Sequence, residues 1–203
     1  MQSKQDSETK EKLLKSAKSE FLSLGYRDAS LRSICKNAGV TTGALYFFFN
    51  DKETLFGTIV KEPLEQIIAL MQEHFTAERQ YAKDKIAYSE NDDLESAKKI
   101  LHFLYQHYDE SILLISKSQG SSYEHCIDRI IAIMEEHYIL LANELCKEKN
   151  IKSIGKSIIH WVSHSQIDSF IYLLTHVESE KKALSLLPTI INYLVSGWES
   201  MFC

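Results

Sequence analysis

Glycine and proline are scarce, at seven and two in 203 residues. A β-rich chain of this length turns often and uses those residues to do it. Their scarcity excludes a turn-dense β fold, and long stretches rich in Leu, Ile, Lys and Glu point to an all-α chain. Cysteine is also sparse. Cys35, Cys126, Cys146 and Cys203 are far apart and form no C-x-x-C pair, which excludes a disulfide scaffold or zinc ribbon and reads as reduced thiols. Uncharged stretches such as Thr189 to Trp198 fall short of the roughly 20 apolar residues of a membrane span. With no apolar signal core at the N-terminus, the expectation is a cytoplasmic protein without membrane contact. Absent too are a Gly-rich phosphate loop, a Gly-x-Ser-x-Gly elbow and any paired acid/base spacing, so neither an enzyme nor a cofactor is expected.

A strong excess of one charge is missing as well. The net charge is −5, which argues against a generic polyanion binder. The charge is unevenly spread, however. Met1 to Glu53 carries nine Lys/Arg against seven Asp/Glu, a net of +2, and the remainder carries −7. Any nucleic-acid contact belongs at the N-terminus, made by a few placed groups.

What is present is hydrophobic content, 44% of the chain, arranged at helical spacing. Thr9 is placed to cap a first helix with Leu13, Leu14, Ala17, Phe21 and Leu24 on one face, and Gly25 to end it in a left-handed cap with Tyr26 packing back on Phe21. Ser30 caps a short second helix with Leu31, Ile34 and Cys35 inward, and Ala38-Gly39 form a tight turn. Thr41 caps a third helix whose Leu45 and Phe49 are buried, and Asp51 caps a fourth. The fourth runs from Lys52 to about Arg79 with an expected kink at Pro63. After a polar stretch, Tyr81 to Asp93, the pattern predicts helices over Leu94–Tyr108, Ser111–Lys117, Tyr123–Lys147, Ile154–Val177 and Glu180–Met201.

Two short helices joined by a glycine turn, the second presenting small and polar residues at its start, make a helix-turn-helix unit. In such a unit the second helix enters the major groove of DNA. Thr41, Thr42, Gly43, Tyr46 and Phe47 face outward on it. Thr42 suits a base or phosphate, Gly43 a close backbone approach and Phe47 a thymine methyl group. Tyr46, Lys52 and Ser30 suit phosphates. A helical adaptor whose unit grips protein instead is the rival reading, separated from the first by a salt-dependent, sequence-selective DNA shift.

The run Val40-Thr41-Thr42-Gly43-Ala44-Leu45-Tyr46-Phe47-Phe48-Phe49, followed by Asp51-Lys52-Glu53 and Leu55, resembles the TetR/AcrR family of regulators. So do Phe21-x-x-x-Gly25-Tyr26 and Ile34-x-x-x-Ala38-Gly39-Val40 upstream. Cys35 stands where alanine is usual, and Phe47-Phe48-Phe49 is more apolar than the common version. The resemblance covers about the first 55 residues. It implies two domains, a helix-turn-helix domain over 1–55 and a helical effector-binding and dimerisation domain over 56–203, with about nine helices in all. It further implies a homodimeric repressor released from a palindromic DNA operator by a small-molecule effector.

In the C-terminal part, Ile154 to Val177 is apolar nearly all round and so calls for burial on most sides. Leu186, Leu187, Ile190, Ile191, Leu194 and Trp198 form a second apolar surface, and the two together suggest a four-helix interface between two copies. Aromatic and polar residues at helical spacing, namely Tyr105, Tyr108, Tyr123, Trp161, His164, Asp168 and Tyr172, are candidates to line the effector pocket. His160 and His164 have the i, i+4 spacing of a metal pair, but no third ligand accompanies them and no metal site is expected.

Overall fold

A computed structural model describes residues 2–84 and 90–203. Nine α-helices are present among them and no strand: α1 (Gln2–Asp28), α2 (Leu31–Ala38), α3 (Thr42–Phe48), α4 (Lys52–Asp84), α5 (Glu90–Gln106), α6 (Tyr108–Ile112), α7 (Cys126–Glu148), α8 (Lys156–His176) and α9 (Glu180–Ser200). A short π-helix, Leu113–Lys117, follows α6. Such turns are rare outside functional or strained segments.

The local signals place most boundaries. Ser30 and Thr41 accept from the backbone N–H three residues on, at 3.5 and 3.2 Å, and Asp51 accepts from that of Thr54 at 2.6 Å. Thr9 does not cap: α1 already starts at Gln2, and the Thr9 hydroxyl donates to the Gln5 carbonyl at 2.8 Å. Gly25 interrupts α1 as expected, but at φ 79 and ψ 164 it is not left-handed helical. That extended, positive-φ region is open essentially to glycine alone. Leu24, placed inward by periodicity, is half exposed because the helical phase is lost there. Pro63 lies inside α4, which continues through it as one helix. Pro188 sits likewise inside α9. The polar stretch 81–93 is helical at both described ends, and residues 85–89 lie outside the described residues.

The chain divides into two compact units, one of Met1–Glu65 with His107–Ile127, the other of Gln66–Gln106 with Asp128–Cys203. Within the first unit α6 and the π-helix pack on α1. In the first unit Leu13, Ala17, Phe21, Ile34, Leu45 and Phe56 are fully buried. Phe56 packs edge-on against Phe21 at 5.0 Å and Tyr26 at 5.1 Å. Lys18 donates to the Glu110 carboxylate, tying α1 to α6.

In the second unit, Leu141, Ala142, Cys146, Ile159, Val162, Trp198 and Phe202 form one core joining α7, α8 and α9. Ala97, Leu101, Leu173, Val177, Ala183 and Leu187 form another that brings in α5. The Tyr105 hydroxyl donates at 3.0 and 3.1 Å to the carbonyls of Leu173 and Val177. Those carbonyls close the C-terminal end of α8, where intrahelical donors run out.

Candidate nucleic-acid interface

The reading unit is built from the turn outward. Gly39 is left-handed (φ 69, ψ 31), and its N–H reaches the Cys35 and Lys36 carbonyls. A residue with a β-carbon resists this conformation by about 1 kcal/mol or more. The Val40 N–H also bonds the Cys35 carbonyl at 3.0 Å, so the turn is closed twice. From below, Ser16 donates to the Ile34 carbonyl at 2.8 Å. The Glu20 carboxylate accepts from the Ser30 N–H and the Ser33 hydroxyl at 3.3 and 3.0 Å. With Leu45 fully buried and Phe49 2% exposed, α3 has no freedom to roll on this base.

Its outer face follows from that anchoring. Thr41, Thr42 and Gly43 are exposed, Tyr46 is 54% exposed and Phe47 73%. A large exposed aromatic is costly in water unless something covers it. Gly43 has ordinary torsions, and a β-carbon there meets only the Thr41 hydroxyl at 3.8 Å. The fold itself does not require this glycine.

Ser30 is exposed at the start of α2, its hydroxyl accepting from the Ser33 N–H. Lys52 is otherwise engaged. Its ammonium donates to the carbonyls of Tyr26, Arg27 and Ala29 at 2.7, 3.1 and 3.2 Å and lies 4.6 Å from the centre of the Tyr26 ring. All three of its N–H bonds are used to close the end of α1, and sequence reasoning missed this role because the partners are twenty or more residues away. The next residue, Glu53, accepts from the Ser122 N–H and hydroxyl at 3.1 and 2.5 Å. Burial pushes its carboxyl upward, but the bonds from Ser122 and Tyr26 prevail and hold it below the ordinary carboxylate value. Burial and Glu53 in turn raise the Tyr26 phenol.

The seven pocket candidates are not brought together. Tyr108 and Tyr123 belong to the first unit, where Tyr123 packs on Phe56 and its hydroxyl would stand 3.0 Å from a β-carbon at Gly57. Tyr105 serves the end of α8. Trp161 and Tyr172 are 61% and 54% exposed, Asp168 is exposed and His164 half-buried, so this face of α8 turns outward. The His160 ring contacts Glu135 at 3.0 Å and lies edge-on to His164.

A cavity of about 80 Å³ instead lies inside the second unit, where α4, α5, α7, α8 and α9 converge. Its walls are mainly apolar, with Met71, Phe75, Ile100, Met134, Phe170 and Leu194 among them, and its polar groups are His74, Asp93, Ser96, Tyr138 and Gln166. None of the seven candidates lines it. His74 Nε2 lies 3.6 Å from Asp93 Oδ1. Burial lowers the pKa of His74 despite Glu78 nearby. Behind Phe75 the His137 ring stacks at 4.0 Å and bonds Glu78 at 2.7 Å, while its Nδ1 is buried with no hydrogen-bond partner among the described residues.

Residues 13–59 match the family described as bacterial regulatory proteins, tetR family. The fatty acid metabolism regulator protein of Bacillus subtilis is 36% identical over 63 residues, 31% of this chain and 32% of that one. The transcriptional repressor BepR of Brucella suis is 41% identical over 64 residues, 30% and 31% of the two chains. These alignments span about a third of the relatives' own length. Solved structures are alike over nearly the whole chain. FadR of Bacillus subtilis, in complex with stearoyl-CoA, superposes with a TM-score of 0.59 at 18% identity, covering 92% of this chain and 97% of its own. A regulator described as TerR/AcrR family from Aquifex aeolicus gives 0.55 at 22% identity, covering 95% and 99%. The N-terminal unit thus matches the tetR family model, and the fold of the chain is similar to that of solved regulators described as members of that family.

Proposed function

We propose that the chain is a homodimeric, DNA-binding transcriptional repressor that reads a palindromic operator with α3 and is released from it by a small molecule held in the second unit. The observation that carries this reading is the outer face of α3. Tyr46 and Phe47 are exposed on a helix held rigid from beneath, and a glycine that the fold does not require stands beside them. Gly43 admits close approach of a phosphate or sugar, Phe47 meets a thymine methyl group, and Thr42 and Tyr46 donate hydrogen bonds. Thr41 fixes the start of the helix, and its hydroxyl hydrogen stays available to a phosphate. Ser30 offers a second such donor, whereas Lys52 acts by holding the end of α1.

Ile158, Trp161, Tyr172, Leu186 and Tyr193 are exposed on α8 and α9, and a second copy covers them in this reading. Two copies reach successive major grooves only when their reading helices are about 34–36 Å apart. An effector that favours another separation lowers DNA affinity by its differential binding to the two states. The stearoyl-CoA of the Bacillus FadR structure is a poor guide to that effector, because a long acyl chain exceeds the space of the cavity found here.

The test is a gel shift on the DNA flanking the protein's own gene. A sequence-selective, salt-dependent shift is expected, and Tyr46→Ala weakens it while the protein stays folded and dimeric. A shift without sequence preference, or one indifferent to Tyr46→Ala, refutes the assignment of α3.

A further inference from the structure

One pair of polar side chains in the second unit serves neither the reading helix nor the cavity. His160 and His164 stand one turn apart on α8. Spacing alone supplies two donors and nothing behind them; the structure adds Glu135 from α7. Its carboxylate lies 3.0 Å from His160 Nδ1, so Nδ1 carries the donated proton and Nε2 keeps its lone pair. Metal-binding histidines are commonly held in this way, the carboxylate fixing tautomer and ring and raising the basicity of the other nitrogen. The two rings lie 4.6 Å apart, centre to centre. Imidazoles bonded to one ion at about 2.0–2.1 Å, with about 90–110° between the bonds, have their centres about 4.5–5.2 Å apart. The pair is thus already at a chelating separation. It is also reachable: the His160 side chain is 57% exposed, and His164 makes no hydrogen bond among the described residues.

We propose that His160 and His164 chelate one imidazole-binding transition-metal ion, Cu²⁺ or Zn²⁺, with Glu135 as the positioning residue. Among the described residues no third His, Cys, Asp or Glu completes a cage. Water therefore takes the remaining positions, and the ion exchanges, unlike one held in a closed four-ligand structural site. At 3.6 residues per turn the two histidines lie about 100° and 60° around α8 from Trp161, on the shoulder toward α7. The ion is bound beside the face assigned to a second copy, not beneath it. Mg²⁺ is rejected, since it demands oxygen donors. The site stands or falls independently of the repressor reading.

The experiment uses the full chain carrying Cys203→Ser, which removes the exposed thiol as a competing ligand, with Cu²⁺, Zn²⁺ and Mg²⁺ as separate probes. Calorimetry at neutral pH is expected to show one ion per chain, Cu²⁺ bound more tightly than Zn²⁺ and Mg²⁺ not at all. The Cu²⁺ electron paramagnetic resonance spectrum is expected to show two nitrogen donors. His160→Ala and His164→Ala each weaken binding by at least about tenfold, because one imidazole loses the effective concentration of its neighbour, and each reduces the spectrum to one nitrogen. Glu135→Gln weakens binding by about 10–100-fold but keeps the two-nitrogen spectrum, which separates a positioning group from a ligand. Failure to bind Cu²⁺ or Zn²⁺, affinity unchanged in the histidine variants, or Mg²⁺ bound as well as Zn²⁺ overturns the site. Unchanged affinity in Glu135→Gln overturns the positioning role. Either histidine variant suffices should the other fail to fold, since each removes one of the two donors.

Discussion

Lys52→Met separates two roles for a basic residue beside the proposed DNA-reading helix. The lysine makes three hydrogen bonds to carbonyls at the end of α1, and its stem passes the Tyr26 ring. A hydrogen bond from a charged donor contributes about 1.5–3 kcal/mol. Here the total is much smaller than three such bonds, since Arg27 is exposed and Tyr26 half-buried and water replaces the lysine at both. Only the bond to Ala29, which is 5% exposed, is lost without compensation. A cost of about 2 kcal/mol follows once the exposed bonds are discounted for solvent. For a chain of this size unfolding as one, that lowers Tm by about 4–8 °C. Methionine keeps most of the apolar stem, so the loss is that of the ammonium group. Differential scanning calorimetry reads the first effect, and DNA affinity measured across a salt series reads the second. Affinity falls because Tyr26 and Ala29 no longer fix the base of the unit, but the slope of log K against log salt stays as in the parent. A phosphate contact would instead remove about 0.9 from that slope. A slope lower by about one with an unchanged Tm would refute the structural role and restore Lys52 to the DNA backbone.

Two further outcomes are expected. The depressed carboxyl of Glu53 contributes stability that is present above the ordinary carboxylate pKa and is lost as pH falls through its lowered value. The stability gap between parent and Glu53→Gln, read from urea midpoints, therefore narrows as pH falls from neutral through the ordinary carboxylate value toward the lowered one, and a gap that stays constant on acidification excludes the carboxylate charge as its source. Trp161→Glu combined with Tyr193→Glu places charges on exposed faces of α8 and α9 and yields a folded monomer by light scattering, whereas a persistent dimer locates the interface elsewhere.

The reading unit was legible in the sequence because its determinants are local. Ser30, Thr41 and Asp51 each satisfy a backbone N–H three residues on, and Gly39 needs a positive φ that its neighbours do not supply. Cap chemistry of this kind acts within one turn, so residue type and spacing suffice to find it. Thr9 shows the limit. The same residue type donates to the carbonyl four residues back once the helix has started upstream. Lys52 and Glu53 lay beyond local reasoning altogether, since their partners lie at positions 26–29 and 122.

The pocket candidates raise a different matter, one of phase. A helix apolar nearly all round gives no periodicity from which to tell its inner from its outer side. Trp161, His164, Asp168 and Tyr172 do share a face, but that face turns outward. Gln166 and Phe170, which line the cavity, lie about 140° and 180° around the helix from Trp161 at 3.6 residues per turn. Polarity pointed to the outer side, because that face carries the more conspicuous residues. That α8 is apolar on both sides has its own consequence. Ile159, Val162, Ile167, Leu173 and Leu174 are buried within the unit, whereas Ile158, Trp161 and Tyr172 remain in water. Covering the second set stabilises an assembly through apolar area removed from solvent. The same requirement arises at the other end of the chain. One seven-residue helix on a segment of net charge +2 offers few phosphate contacts, so operator affinity depends on two such helices bound together. In the proposed repressor the outward face of α8 thus belongs to DNA recognition as much as α3 does, by supplying the second copy.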